Sequence, residues 1–334
     1  MSKTIGILTS GGDAPGMNAA IRAIILTACK LDYACIGFHH GYNGLIDGDF
    51  RSLTPTDTQD IIQRGGTILK SARCPQMHNE TGVQQAVNTL YKARVDILIV
   101  IGGDGSFSGL IAIAPLWKGQ VIGIPGTIDN DIDCTDFTIG FSTAVNTAID
   151  AIDKIRDTAN AFDRVFIVEV MGRHSGHIAF NVGIATAAEH IVSFENYNPK
   201  NQVERIKEIT EQINKVKTNK VRSFLIVIAE NLWQGGISAL AQTLKQDAGI
   251  DSATCILGHT QRGGSPVAKD RILATKLGIA SVVAAQEGKT AIMVAEQGNE
   301  ITYVPLQDAI KHTKSVEKSL VDTQKNILSI HNKV

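Results

Sequence analysis

Gly123-Ile124-Pro125-Gly126-Thr127-Ile128-Asp129-Asn130-Asp131 is the stretch from which the fold and the function of this chain are best approached. The apolar run Gln120-Val121-Ile122-Gly123-Ile124 leads into it and predicts a short buried strand. After a break of glycine and proline, a threonine and two aspartates alternate with Ile128 and Asn130. Open α/β sheets bind ligands at the carboxyl ends of their strands, so this stretch predicts a functional site.

A second strand followed by glycines stands just upstream. Ile97 to Ile101 predicts a buried strand, and Gly102-Gly103-Asp104-Gly105-Ser106 follows it as a loop. The glycines let backbone amides approach a phosphate. Asp104 is suited to a divalent cation, because Mg²⁺ is typically held by one or two carboxylates together with phosphate oxygens. Other ATP-using kinases, including NAD and lipid kinases, carry the same short pattern. The two strand ends together suggest one shared cleft for phosphoryl transfer.

The N-terminal segment predicts a further anion-binding turn. Thr4 to Thr9 predicts a strand, Ser10 to Gly16 a turn, and Met17 the start of a helix. The free N–H groups and the dipole of a helix N-terminus favour anions, although a plain tight turn remains the alternative on this stretch alone. The turn contains no G-x-G-x-x-G, and no lysine follows its last glycine. By motif the chain is therefore neither a dinucleotide-binding Rossmann protein nor a P-loop ATPase.

Two arginines follow comparable breaks. Arg73 ends the glycine turn that starts at Gly65, a position that suits a phosphate contact and a solvated loop equally well. Arg164 precedes a predicted strand, Val165 to Val170, which ends in Met171-Gly172-Arg173. The segment Gly41-Tyr42-Asn43-Gly44 is interpreted as a loop.

Length and composition limit the class of protein. The 334 residues exceed what one core usually supports and indicate about two domains, with a boundary near Gly140. A net charge of −1 argues against a broad nucleic-acid surface. The five scattered cysteines form no CxxC pair, as in a reduced protein of the cytoplasm. With no leader pattern and no apolar run of about 18 residues, we expect a cytoplasmic protein without a membrane span.

Together, these loops resemble the 6-phosphofructokinase family, specifically its bacterial ATP-dependent type. The matching segments are, in chain order, ILTSGGDAPGMNAAIR, GGTILKSAR, IGGDGS, PGTIDND, AIDKIRDTA, VEVMGR and LGHTQRGGSP. They span essentially the whole chain, and the combination of PGTIDND, MGR and HTQRGG is highly specific. The resemblance implies an α/β fold of two Rossmann-like three-layer α/β/α domains with the active site in the cleft between them.

The resemblance also implies how the chain divides. The larger, ATP-binding domain would comprise residues 1–139 and about 260–300. The smaller, sugar-phosphate-binding domain would comprise residues 140–259 and a C-terminal segment of about 301–334, which we expect to be a helical tail. It further implies a homotetramer that works in glycolysis and converts fructose 6-phosphate and ATP to fructose 1,6-bisphosphate.

Each matching position takes an implied role. Asp129 would be the general base that removes the proton of the sugar's 1-hydroxyl as it attacks the γ-phosphate. Thr127 and Arg173 would steady the transferring group, whose charge spreads over its equatorial oxygens. Asp104 would hold Mg²⁺. The ATP-binding residues would be Gly12, Arg73, Cys74, Gly103, Asp104, Gly105 and Ser106. The sugar-phosphate site would comprise Thr127, Ile128, Asp129, Arg164, Met171, Gly172, Arg173, Glu230, His259 and Arg262, with Arg164 reaching across from a neighbouring subunit.

Two glycines bear on the choice of phosphoryl donor. Pyrophosphate-using relatives carry an aspartate where this chain has Gly105 and a lysine where it has Gly126. A carboxylate at position 105 would crowd and repel the α-phosphate of ATP. The two glycines therefore favour ATP.

Other positions depart from the family pattern. Ala253 replaces a second arginine that would reach the sugar phosphate across subunits, which weakens that grip by a few kcal/mol at most, since a charge-assisted hydrogen bond contributes about 1.5–3 kcal/mol. Arg22, Arg156 and Glu189 match an activator-nucleotide pocket. The basic residues expected beside them are replaced by Leu26, Pro55, Val221 and Ser223. We hypothesise that the response to ADP or phosphoenolpyruvate is weakened or altered.

Two alternatives to a 6-phosphofructokinase stay open on the sequence. The substitution at Ala253 would permit a kinase of the same fold that acts on another sugar phosphate. A non-catalytic regulatory homologue is the other alternative. Against it, the chain retains a metal ligand, phosphate contacts and a base, which decayed sites rarely keep together. These residues are Asp104, Thr127, Asp129, Arg164 and Arg173.

Overall fold

The computed structural model describes residues 2–162, 164–218 and 223–331 of the chain. The strands are β1 (Thr4–Thr9), β2 (Ala34–Phe38), β3 (Phe50–Leu53), β4 (Ile97–Gly102), β5 (Gln120–Thr127), β6 (Ile139–Gly140), β7 (Val165–Val170), β8 (His190–Val192), β9 (Phe224–Ala229), β10 (Ser252–Ile256), β11 (Ile292–Gln297) and β12 (Glu300–Pro305).

The helices alternate with these strands along most of the chain. They are α1 (Met17–Lys30), α2 (Tyr42–Asp47), α3 (Glu80–Lys92), α4 (Asp104–Ile113), α5 (Phe141–Phe162), α6 (His177–Ala185), α7 (Gln202–Thr218), α8 (Gly236–Ala248), α9 (Ala268–Gln286), α10 (Leu306–Ala309) and α11 (Lys318–His331). Short 3-10 turns cover Pro55–Thr58, Pro75–His78, Pro199–Asn201 and Gly258–Arg262. No helix of these described residues has both the length and the apolar composition needed to cross a bilayer.

The chain forms two units. Unit 1 comprises residues 1–143 and 262–314, and unit 2 comprises residues 144–261 and 315–334. Residues 301–314 differ from the sequence-based division, which placed them in the second domain as part of a helical tail. They belong to unit 1, because β12 pairs antiparallel with β11 from Gln297↔Glu300 to Ile292↔Pro305.

Unit 1 is built on one mostly parallel sheet. Its strand order is β12-β11-β5-β4-β1-β2-β3, with β6 paired to β5. The strands β1, β4, β5 and β11 run parallel, whereas β3 and β12 are antiparallel at the two edges. Every residue of β4 is buried, as expected for a parallel strand covered on both faces. The direction in which the chain adds strands reverses between β1 and β4, and such a switch point is where open α/β sheets bind ligands.

Helices α1 and α9 pack closely within unit 1. A Cβ atom at Gly278 would lie 2.8 Å from the carbonyl oxygen of Ala20, so the two backbones approach at a distance that only glycine permits. At the start of α9, the fully buried Asp270 accepts hydrogen bonds from the N–H groups of Gly140 (3.0 Å) and Thr143 (2.7 Å). This carboxylate thereby fixes the start of α5.

Unit 2 is built on a four-stranded sheet. The order is β10-β7-β9-β8, and all three pairings are parallel. The central strand β9 is buried along its whole length, whereas the edge strand β10 is partly exposed. Strands alternate with helices in both units, and each unit is an α/β layer structure of the predicted class.

One predicted loop is wrong in detail. Residues Tyr42–Asp47 form α2 rather than a loop, although Gly41 is its N-cap and Gly44 lies within it. The Tyr42 ring is 2% exposed, and its burial against Gly109 offsets the low helix propensity of the local sequence. Tertiary packing therefore overrides the glycine signal here.

A buried histidine in unit 2 should make stability depend on pH. His190 is 1% exposed, and its Nδ1 lies 2.7 Å from Gln212 Oε1. Burial, reinforced by the charge of Arg205, lowers the pKa of His190 from 6.5 to about 4, against the opposing effect of the Gln212 hydrogen bond. Below pH 6.5 the unfolded chain binds a proton that the folded chain refuses, so stability is lost as the pH falls from 6.5 towards 4.

We predict that His190→Gln removes this component. The wild-type free energy of unfolding should fall by up to about 1.4 kcal/mol per pH unit more steeply than that of the variant between pH 6.5 and 4. Urea unfolding of both proteins across that range measures the difference. A difference in stability between the two proteins that stays constant with pH would contradict the assignment.

Candidate active site

In unit 1, three predicted loops open at one edge of the sheet. They follow β1, β4 and β5, which are neighbours and run parallel, with Thr9 opposite Ile101 and Gly102 opposite Pro125. The carboxyl ends of parallel neighbours lie at the same edge of a sheet. The geometry therefore brings together the turn after β1, the glycine segment after β4 and the aspartates after β5.

The turn after β1 has an arginine lying over it. Arg262 Nη1 donates to the carbonyl oxygen of Asp13 at 3.3 Å. A Cβ atom at Gly12 would lie 2.5 Å from the same nitrogen, so the missing side chain at Gly12 is what leaves room for the guanidinium. Two residues far apart in sequence, one predicted to contact ATP and the other the sugar phosphate, are thus adjacent.

The segment that carries Arg73 lies against the same turn. Ser71 Oγ donates to the carbonyl oxygen of Gly11 at 2.7 Å, and the Gly11 N–H donates to the Ala72 carbonyl oxygen at 3.4 Å. Arg73 itself is exposed, and Cys74 is partly buried. The structure therefore places both predicted ATP-binding residues beside the turn, with the arginine head accessible.

The glycine segment after β4 is the beginning of a helix rather than a loop. Gly103 is the N-cap of α4, and Asp104, Gly105 and Ser106 form its first turn, without a capping side chain at Gly103. The N-terminus of a helix binds phosphate through its N–H groups and its dipole. Helical structure therefore strengthens the phosphate-binding interpretation of these residues.

Tyr42 supports this helical turn from below. Its hydroxyl donates to the carbonyl oxygen of Ser106 at 2.6 Å. Burial raises the pKa of Tyr42, with a further contribution from Cys74, so the hydroxyl keeps its proton and remains a donor. Sequence reasoning missed Tyr42 because it assigned the residue to a loop.

The aspartates after β5 lie in a braced turn. Asp129 is 6% exposed, and its N–H donates to Thr127 Oγ1 at 3.2 Å. Thr138 Oγ1 donates to the Thr127 carbonyl oxygen at 2.6 Å, and the Thr138 N–H donates to Asn130 Oδ1 at 3.0 Å. These bonds hold Thr127 and Asp129 in a fixed relation to each other.

The remaining residues of this stretch divide between core and support. Ile128 is fully buried, so its side chain belongs to the core. The Asp131 carbonyl oxygen accepts from the Lys314 N–H at 3.0 Å, and Ile132 forms a β-bridge with Thr313. The C-terminal segment of unit 1 thus braces the turn.

The carboxylates of unit 1 suit a metal that substrate oxygens help to hold. Asp104 is exposed at the start of α4, whereas Asp129 is buried. Within the described ranges no group of three or more His, Cys, Asp or Glu residues is arranged to hold a metal ion. Mg²⁺ keeps few protein ligands when it is bound with phosphates, so a single accessible carboxylate fits it and an all-protein cage is not required.

In unit 2, the turn after β7 is held by side chains from two neighbouring strand ends. The N–H of Arg173 donates to Glu230 Oε1 at 2.9 Å, and Glu230 directly follows β9. The N–H of Met171 donates to Gln261 Oε1 at 2.8 Å, and Gln261 belongs to the 3-10 turn after β10. The structure therefore brings Met171, Arg173 and Glu230 together, as predicted residues of one subsite.

Backbone conformation and charge add to the character of this subsite. Gly172 has φ +142° and Arg173 has φ +57°, so the turn depends on left-handed conformations. Burial, together with repulsion from Glu230, raises the pKa of Glu169 at the end of β7. His259 is exposed in the turn after β10.

Arg164 is not brought to this subsite within the chain. It precedes β7, whereas Met171 follows it, and the six residues of the strand separate them by about 20 Å. Ala253 lies at the same amino edge, opposite Phe166. The Arg164 guanidinium lies 5.2 Å from the centre of the Phe162 ring, and that ring is 65% exposed.

Residues 4–285 match the family model described as Phosphofructokinase, which covers most of the chain. The chain belongs to the phosphofructokinase family. It is 45% identical over 320 residues to ATP-dependent 6-phosphofructokinase 1 of Thermus thermophilus, covering 96% of this chain and 97% of that protein. It is likewise 45% identical over 328 residues to ATP-dependent 6-phosphofructokinase of Clostridioides difficile, covering 98% of this chain and all of that protein.

Solved phosphofructokinases share the fold. The phosphofructokinase of Saccharomyces cerevisiae superposes with a TM-score of 0.88 at 30% identity, over 99% of this chain and 50% of that chain, so this chain spans half the yeast polypeptide. A pyrophosphate-dependent phosphofructokinase from Marinobacter aquaeolei superposes with a TM-score of 0.82 at 22% identity, over 98% of this chain and 91% of that one. The second match supports the fold alone.

The matched effector residues of this phosphofructokinase are engaged internally in unit 2. Arg156 pairs with Glu189 at 3.2 Å and donates to the carbonyl oxygens of Thr186 and Ala187, both at 2.9 Å. Glu189 also accepts from the Leu225 N–H at 2.7 Å. Arg156 therefore connects α5 to the α6–β8 segment, and Glu189 connects that segment to β9.

Of the remaining effector positions, Arg22 keeps a basic side chain, whereas the substituted positions carry no charge. In unit 1, Arg22 and Leu26 lie partly buried on α1, and Pro55 begins a 3-10 turn. In unit 2, the buried Ser223 donates to Asn160 Oδ1 at 2.6 Å. Val221 lies outside the described residues.

The two glycines of the donor argument have different surroundings. A Cβ atom at Gly105 would have no heavy atom within 4 Å, so the space beside α4 is open. A Cβ atom at Gly126 would lie 2.9 Å from Ile101 Cγ2 and 3.2 Å from Met17 Cε, so a lysine there would require the core to shift. Glycine at 126 therefore has a packing reason of its own.

Proposed function

We propose that this chain is an ATP-dependent 6-phosphofructokinase, which transfers the γ-phosphoryl group of ATP to the 1-hydroxyl of fructose 6-phosphate and forms fructose 1,6-bisphosphate. Identity of 45% over nearly full length to proteins of that activity is the observation that carries the assignment. The retained Asp129, Thr127 and Arg173 are the chemical groups that the reaction requires. The chain is thus a phosphotransferase with an alcohol acceptor, acting in glycolysis.

In the proposed mechanism, Asp129 accepts the proton of the attacking 1-hydroxyl. The bonds from Thr127 and Thr138 would fix the backbone that carries the buried Asp129 side chain, and so its position for that transfer. Thr127 would contact the transferring group from unit 1. The Arg173 guanidinium would offset the charge on its equatorial oxygens.

For ATP, the phosphates would meet the turn around Gly12, the Arg73 guanidinium, Cys74 and the first turn of α4. The first turn of α4 would bind phosphate oxygens by the ordinary chemistry of a helix N-terminus. Asp104 would hold Mg²⁺ together with the phosphate oxygens. When bound, this ion would offset the negative charge of the phosphates.

For the sugar phosphate, Met171, Gly172 and Glu230 would shape the pocket, and His259 and Arg262 would bind the 6-phosphate. The position of Arg164 at the opposite end of β7 from Met171 supports its proposed action on a neighbouring subunit. We accordingly propose a homotetramer. Ala253 beside it offers no second cation, so the grip on the phosphate would be thinner.

The cysteines and the proposed substrates both bear on the cellular location. All five cysteines are free thiols, as expected in a reducing compartment. ATP and a sugar phosphate are substrates of that compartment too. We therefore propose the cytoplasm.

Replacement of the proposed base tests the mechanism. Asp129→Asn should lower kcat by roughly 10²- to 10⁴-fold, because a positioned general base contributes about that much. The assay couples formation of fructose 1,6-bisphosphate to NADH oxidation. Asp131→Asn is the matched control, since it alters a carboxylate of the same turn without an assigned step, and it should keep kcat within about tenfold. Equal activity of wild type and Asp129→Asn would refute the assignment.

The same assay tests the alternative that the chain phosphorylates another sugar phosphate. If Ala253 has shifted specificity, kcat/KM for another phosphorylated sugar will exceed that for fructose 6-phosphate. A non-catalytic homologue would show no turnover with any of them.

The charge at position 105 should control the donor. Gly105→Asp should lower kcat/KM for ATP by roughly 100-fold, because a like charge beside the phosphates is repelled by several kcal/mol. The open space at this position indicates that the variant will fold. Gly105→Asn is the isosteric control, and its smaller loss separates charge from size. Equal losses in both variants would contradict the electrostatic account.

We further predict a blunted allosteric response. Arg156 and Glu189 are occupied by internal bonds, and the substituted positions lack the basic side chains expected there, namely Leu26, Pro55, Val221 and Ser223. Activity at subsaturating fructose 6-phosphate should therefore change by less than about twofold with added ADP or phosphoenolpyruvate. A saturable response of ordinary size to either ligand would show that the effector site works.

A further inference from the structure

Gln261 is a buried polar residue that no step described above uses. It lies in the 3-10 turn Gly258–Arg262, between His259 and Arg262. Its side chain is 0% exposed, whereas His259 is exposed and Arg262 partly exposed. A fully buried glutamine beside residues proposed to bind the sugar phosphate must be explained by what its amide group contacts.

The amide oxygen of Gln261 binds the turn after β7. Gln261 Oε1 accepts from the Met171 N–H at 2.8 Å. Strand pairing between β7 and β9 ends at Val170, so Met171 is the first residue that the sheet no longer holds. The residues that follow, Gly172 and Arg173, are both left-handed. Gln261 and Glu230 therefore provide the acceptors for two of the three N–H groups of this turn.

The surroundings of the Gln261 amide nitrogen limit which side chains can occupy this position. Gln261 Nε2 is buried and has no hydrogen-bond partner within the described part of the chain. The amide cannot be turned over, because its NH₂ group would then face the Met171 N–H donor. A neutral group is required at that end, since an ionised oxygen buried without a donor would be strongly disfavoured.

We propose that Gln261 is a positioning residue of the sugar-phosphate subsite, which sets the Met171–Arg173 turn relative to the turn that carries His259. It would act through the backbone of Met171 and would not touch the substrate. This inference rests on the proposed function, because it concerns the binding of fructose 6-phosphate.

The first test is Gln261→Leu, which keeps the approximate size and removes the acceptor. The Met171 N–H would lose its partner, so KM for fructose 6-phosphate should rise roughly 5- to 100-fold. KM for ATP should stay within about twofold, since the hydrogen bond that is lost belongs to Met171, a residue of the proposed sugar-phosphate subsite. Thr260→Val is the matched control, because the Thr260 hydroxyl bonds locally, to the Leu257 carbonyl oxygen at 2.6 Å just before the turn. Its KM values should be unchanged.

The second test, Gln261→Glu, separates positioning from a general loss of stability. A protonated carboxyl group mimics the amide, whereas an ionised one does not, so kcat/KM for fructose 6-phosphate should recover towards wild type as the pH falls. Glu169, Glu230, Arg173, His259 and Arg262 are the charged or titratable groups around this turn. The wild-type profile over the same range corrects for them.

The outcomes are distinguishable. Wild-type protein without turnover of fructose 6-phosphate and ATP would refute the proposed function. An active wild type with unchanged KM for fructose 6-phosphate in Gln261→Leu would refute the positioning role alone. Equal increases in KM for both substrates, or a Gln261→Glu profile parallel to wild type, would do so as well.

Discussion

The parallel pairing of β1 with β4 is the constraint on which unit 1 depends. It aligns Thr9 with Ile101, so the turn after β1 and the first turn of α4 must open at the same edge of the sheet. Pairing of β4 with β5 adds Thr127 to that edge. Because β1, β4 and β5 are buried on both faces, a slip in register by one residue would exchange side chains between two differently packed faces. Close packing of the core therefore holds the chemical groups in alignment.

Unit 2 also aligns its strand ends by parallel pairing, but it holds the turn after β7 by side-chain hydrogen bonds. Its parallel strands β7, β9 and β10 also end at one edge, but the turn after β7 leaves the sheet in left-handed conformations. Side-chain acceptors replace the missing sheet partners, with Glu230 bonded to the Arg173 N–H and Gln261 to the Met171 N–H. The position of Arg173 thus depends on hydrogen bonds from two other strand ends.

The sequence predicted the strands that carry the chemistry, because β1, β4 and β7 are apolar runs closed by glycine. It did not predict β12, whose residues Glu300–Pro305 are exposed or partly buried apart from Val304 and owe their conformation to pairing with β11. It assigned Asp104 to a loop, since Gly103 and Gly105 lower helix propensity and only the structure shows that α4 starts there.

Contacts between residues far apart in the chain could not be predicted from the sequence either. The site residues could be named by motif, but the Arg262 guanidinium over Gly12 joins segments about 250 residues apart, which no local pattern encodes. The internal bonds of Arg156 and Glu189 were hidden for the same reason, because these residues match a pocket by type while their side chains bind backbone groups. Gln261 lies inside the segment LGHTQRGGSP, but its sequence position does not indicate the contact with Met171 that the structure shows.

Phosphorus-31 NMR of the purified protein with ATP, Mg²⁺ and fructose 6-phosphate tests the central claim most directly. The account predicts that the γ-phosphate signal of ATP declines while a second sugar phosphomonoester signal, from the 1-phosphate, grows in equal amount. The same mixture with pyrophosphate in place of ATP should give no new signal. Hydrolysis of ATP without a 1-phosphate product, or transfer from pyrophosphate alone, would contradict the account.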